Sequence, residues 1–190
     1  MSDQGKIIIE TFQQARRFCE QVALLIQTTN SVMDEHGWVS SVGSAVTHSS
    51  STKSADEWLP YFAYCYFESK ERRGLLPFLG VLFDYDDEDS KVQMIPEPLV
   101  TAGWYDYGKD GKREAYILWH AVIHVYIPGW KADGSWVEAK PNEVFPKKFG
   151  KLSSLRCRSF ALPVLSLKNT EDLTRLVIDP LLEDIGAGTD

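Results

Sequence analysis

Cysteine is scarce and scattered. The 190-residue chain has three, Cys19, Cys65 and Cys157, with no CxxC and no Cys/His cluster. That excludes a zinc ribbon and argues against a disulfide scaffold. Long apolar runs are missing too: none reaches the roughly 18 residues that cross a bilayer. The N-terminal MSDQGKIII has neither the charge nor the apolar core of a secretory signal. A membrane association is therefore not expected, and a reduced, cytoplasmic setting is. Positive charge is in deficit, 20 Lys and Arg against 27 Asp and Glu for a formal charge of −7. Such a balance argues against nucleic acid as the partner.

Several chemical signatures are also absent. There is no GxxxxGK[ST] phosphate loop and no GxSxG nucleophile elbow, so the serine-rich stretch His48–Ser54 reads as a polar loop. The acidic run Asp84, Asp86, Asp87, Glu88, Asp89 suggests calcium. An EF-hand counted from Asp84 needs Gly at its sixth position and Glu at its twelfth, where this chain has Asp89 and Ile95. A solvated acidic turn is the simpler reading. No cofactor is implied by any motif.

What the chain has is apolar and aromatic mass: 44% hydrophobic residues and 12% aromatic, including six Trp and eight Tyr. That is enough for one domain with a substantial core. Residues 1–185 form that domain in this reading, and 186–190 a disordered tail. Thr11 and Gln14 have capping-box spacing. From there Phe12, Ala15, Phe18, Cys19, Val22, Leu25, Ile26 and Met33 recur at helical intervals up to Gly37, a suitable C′ residue. Poor helix formers at Thr28–Ser31 predict a break. Near the other terminus Asn169 is a good N-cap, followed by Glu171 and Asp172 in the first turn. Pro180 is expected to stop or kink that helix.

Between the helices the pattern is extended. Trp38–Val46 is a weak strand candidate and Trp58–Glu68 a strong one. Phe62, Tyr64, Tyr66 and Glu68 take one face of the latter, and Tyr61, Ala63, Cys65 and Phe67 the other. Leu75–Tyr85 should return as a hairpin through the charged link Ser69–Gly74, with Gly80 suggesting a bulge. Leu99–Tyr107 is expected to pair with Ala115–Ile127, the longest β-branched and aromatic run and the predicted centre of the sheet. Leu155–Leu167 is a further strand. The sum is an α+β class fold: a largely antiparallel sheet of about six or seven strands, with an N-terminal and a C-terminal helix packed on one face.

Candidate site residues follow from this layout. His120 and His124 resemble an HxxxH metal pair. On a strand, however, four residues span about 13 Å, too far for both rings to reach one ion, so no metal site is assigned. With Tyr126 they line a mixed face that suits ligand binding. Arg156 and Arg158, two apart on a strand beside Phe160, are candidates for a small anionic ligand, since guanidinium groups grip phosphate and carboxylate bidentately. Glu138 and Lys140 match the ExK half of a metal-dependent nuclease signature, with Asp106 or Asp84 as conceivable acidic partners. Pro141 and Pro146 oppose the helix that motif requires. The leading expectation is therefore a noncatalytic binding or interaction domain using an aromatic-rich sheet face toward a protein or a small anion. The alternative is a metal-dependent hydrolase or nuclease through Glu138 and Lys140.

Overall fold

The computed structural model describes residues 3–41, 62–83, 97–106, 131–139 and 156–187. It shows one antiparallel six-stranded sheet with an N-terminal and a C-terminal helix on the same face, an α+β architecture.

Helix α1, Asp3–Glu35, is 33 residues long, about 50 Å. It starts eight residues before the expected cap. Thr11 lies inside it and donates its hydroxyl to the Ile7 carbonyl oxygen at 2.9 Å. The expected break does not occur. Thr29 donates to the Leu25 carbonyl at 2.8 Å and Ser31 to that of Gln27 at 3.2 Å, so both hydroxyls are satisfied within the helix. The C-terminus is as anticipated. Gly37 has φ 78°, its N–H donates to Asp34 at 3.0 Å, and Trp38 N–H donates to Met33 at 2.9 Å, the paired bonds of a Schellman cap.

The strands are β1 Val39–Ser40, β2 Phe62–Glu68, β3 Leu75–Leu82, β4 Leu99–Asp106, β5 Val137–Ala139 and β6 Arg156–Pro163. Their order in the sheet is β1-β2-β3-β4-β6-β5. The β2–β3 hairpin forms as expected. Its register runs unbroken through Gly80, opposite Tyr64 on one side and Thr101 on the other, so there is no bulge there. β4 pairs along its whole length with β3 and with β6. Both of its hydrogen-bonding edges are thus filled, which displaces the expected pairing of residues 99–106 with Ala115–Ile127. That run lies outside the described residues, as do the acidic turn, Tyr107 and the serine-rich loop.

Alternation sorts the sheet into two faces. Ala63, Cys65, Phe67, Leu79, Val81, Val100, Ala102, Trp104 and Phe160 meet Val22, Ile26 and Met33 of α1 and the apolar side of the C-terminal helix. Tyr64, Tyr66, Phe78 and Tyr105 lie on the other face and are buried as well. Gly103 is required by the close approach of β4 and β6. A Cβ there would stand 2.7 Å from Ser159 Cα, and nearer still to the Arg158 carbonyl oxygen.

After β6 a 3-10 turn, Val164–Ser166, leads to α2 (Thr170–Leu173), a π-helical stretch (Thr174–Ile178) and α3 (Asp179–Ala187). Asn169 caps α2 by accepting from Asp172 N–H at 2.9 Å. Pro180 neither stops nor ends the helix. Lacking an N–H, it cannot bond one turn back, and the widened π turn immediately before it absorbs the mismatch. α3 runs on to Ala187, past the start of the expected tail at Gly186.

Candidate interaction surface

Arg156 and Arg158 do share the helix-side face of β6 with Phe160, as their spacing predicts. The register sets Arg156 opposite Asp106 and Arg158 between Trp104 and Glu138. Each guanidinium already has a carboxylate. Arg156 Nη2 donates to Asp106 Oδ2 at 3.0 Å, and its plane lies 6.0 Å from the Trp104 ring. Arg158 Nη1 donates to Asp184 Oδ1 of α3 and stacks 5.1 Å from the Trp136 ring. Trp104 Nε1 donates to the other Asp184 oxygen at 2.7 Å. One carboxylate therefore clamps two side chains of neighbouring strands, with only 13% of the Asp184 side chain exposed. Counting Glu138, three carboxylates here face two guanidinium groups. The cluster has no surplus positive charge to offer an anion, and its geometry is that of a fastening between sheet and C-terminal helix.

Asp184 was not visible as a partner in the sequence. It lies 26 residues from Arg158 on a helix whose docking direction only the packing sets. Glu138 is on the edge strand, exposed, with β6 between it and Asp106. Arg158 stands on the same face between those two acids, where its charge would oppose a shared cation. Among the described residues no group of three His, Cys, Asp or Glu could hold a metal. Lys140, His120, His124, Tyr126 and Asp84 lie outside the described residues.

The aromatic sheet face is present but closed. Tyr64 and Tyr66 meet edge to face at 5.2 Å, and Phe78 lies 5.0 Å from Tyr105. These rings pack on one another with at most 4% of any of these residues exposed, so they present nothing to a partner.

Exposed apolar surface lies elsewhere, on α1. Ile8, Phe12, Ala15, Cys19, Val22, Ile26, Thr29 and Met33 follow one another at steps of four and three residues without a slip, the rhythm of a helix-packing seam. The second half of this seam is buried in the core. The first half is not: Ile8 is 57% exposed and Phe12 67%, with Ile7 and Ile9 beside them also exposed, and Cys19 is open to solvent. Among the described residues, Phe18 is the first side chain of α1 packed against the core, and it meets Phe83 edge to face at 5.4 Å. Farther along α1, a groove of about 540 Å³ runs between the helix and residues 164–173, lined mainly by Phe18, Val22, Leu25, Leu165, Leu167 and Leu173. The sequence shows the seam from Phe12 onward, but periodicity alone assigns that part of it to the core.

No described helix is long and apolar enough to cross a membrane. The chain matches no known protein family, no curated protein and no solved structure.

Proposed function

We propose that this is a noncatalytic interaction domain whose docking element is the free half of α1. The observation that carries the reading is the seam that leaves the body still apolar. Fully burying an Ile or Phe side chain is worth about 1.5–3 kcal/mol, and contiguous exposed apolar patches on a folded domain mark sites of association. The reading keeps the expectation of a binding domain but moves its surface from the aromatic sheet face to the helix. Its partner is a polypeptide with a complementary apolar helix face, since a four-three seam is read by knobs from another helix.

Site-specific photo-crosslinking tests this. A benzophenone amino acid at position 12 should form covalent adducts with polypeptide in cells. The same group at Arg17, on the opposite side of the helix, should not. If position 12 yields no more adduct than position 17, the reading is wrong.

A further inference from the structure

Resting on that reading, the geometry points to a second copy of this chain as the occupant of the seam, its α1 running antiparallel to the first. Two features of the free half lead there.

The seam reads Ile8, Phe12, Ala15, Cys19, two large residues followed by two small ones. In an antiparallel pair centred between Phe12 and Ala15, Ile8 faces Cys19 of the other copy and Phe12 faces its Ala15. Every layer then sets a large side chain against a small one, the arrangement that fills space between helices without voids or strain. A parallel pair would set Phe12 on Phe12 and Ala15 on Ala15, crowding one layer and emptying the next.

The position of the body gives the same orientation. From Val22 onward each chain's own sheet covers the seam side of α1. Two parallel helices would bring both bodies into the space between them. Antiparallel helices carry the bodies to opposite ends and overlap only where the seam is free.

Sedimentation equilibrium and thiol crosslinking on the full chain test the proposal. The mass should rise from 21.5 kDa toward twice that value with concentration. Phe12→Glu should hold the chain monomeric with an unchanged circular dichroism spectrum, because Phe12 is 67% exposed. Ala15→Phe should weaken the dimer at least tenfold by setting ring against ring. The swap Phe12→Ala with Ala15→Phe should restore it, because large again faces small. Ile8→Cys should form an intermolecular disulfide with the native Cys19 under a mild oxidant, whereas the unmodified chain should form none. A Cys19–Cys19 dimer would overturn the antiparallel arrangement. A mass of 21.5 kDa at every concentration would overturn the second copy. In that case adducts at position 12 with another polypeptide would leave the interaction domain standing, and their absence would remove both readings.

Discussion

Asp184→Ala is the sharpest probe of how the C-terminal helix is held. The Asp184 carboxylate accepts from Arg158 through one oxygen and from Trp104 Nε1 at 2.7 Å through the other. Hydrogen bonds to a charged group are worth about 1.5–3 kcal/mol each. Removing one partner of a buried pair costs about 3–5 kcal/mol, because the other charge is left stranded. Here the stranding is partial. A third of the Arg158 side chain is exposed, so water can rehydrate the freed guanidinium, and Trp136 keeps its stacking contact. The Trp104 N–H is worse placed, on a residue 6% exposed. The expected loss is about 2–3 kcal/mol after that discount, or about 5–10 °C in Tm for a chain of this length.

Urea unfolding followed by tryptophan fluorescence measures it, with the midpoint shifting and the slope unchanged. Asp184→Asn should cost less, because an amide oxygen still serves Trp104 while the charge is gone. In a double-mutant cycle with Arg158→Met the two changes should be non-additive by about 1–2 kcal/mol. If Asp184→Ala costs under about 0.5 kcal/mol, or the cycle is additive, the clamp does not hold the helix.

Two further outcomes are expected. Gly103→Ala drives a methyl group into the β6 backbone, which cannot yield without parting the two strands. It should cost about 3 kcal/mol or more by the same urea titration, and a loss under about 1 kcal/mol would refute the close approach. The thiols should divide by burial: at pH 8 a disulfide reagent should label Cys19 alone, with Cys65 and Cys157 reacting only on unfolding. Burial pushes the Cys65 thiol from 9.0 up to about 12, while the unfolded chain ionises near the ordinary value. Stability should therefore be unaffected by this group below pH 9 and decline from there toward pH 12. Cys65→Ala should flatten that decline relative to the parent chain, and an unchanged slope would show that the thiol ionises in place.

Local pattern carried much of the fold. Alternation separated Tyr64 and Tyr66 from Cys65 and Phe67, and both sets landed on the faces assigned to them. Helical periodicity with a terminal glycine fixed the end of α1 at Gly37. Its start was missed because T-x-x-Q is the same string at a cap and inside a helix, where Thr11 simply bonds back to Ile7. The run Ile7-Ile8-Ile9 is β-branched, a weak local objection to helix. The partner of β4 was missed for a different reason. Chain neighbours usually pair, yet β6, fifty residues on, fills that edge. For the candidate sites, the two arginines were found and their shared face was right. Their carboxylates were not, because ion-pair partners in space leave no trace of spacing in the chain.

The seam of α1 shows where periodicity stops being informative. Ile8 to Met33 is one uninterrupted four-three pattern, and hydrophobic spacing states only that some surface covers it. Among the described residues, the sheet and the C-terminal helix supply that surface from Val22 onward, with Phe18 against Phe83 as the first ring contact. Beyond that point the same pattern persists over about 15 Å of helix, nearly three turns, so its exposure is not a frayed turn. The Ala15 and Cys19 layers also matter here. A helix packing on its own sheet gains from large residues throughout, whereas a helix meeting its own reverse needs small residues where the other copy has large ones. The order large, large, small, small is therefore the part of the seam that the monomer's own core does not explain.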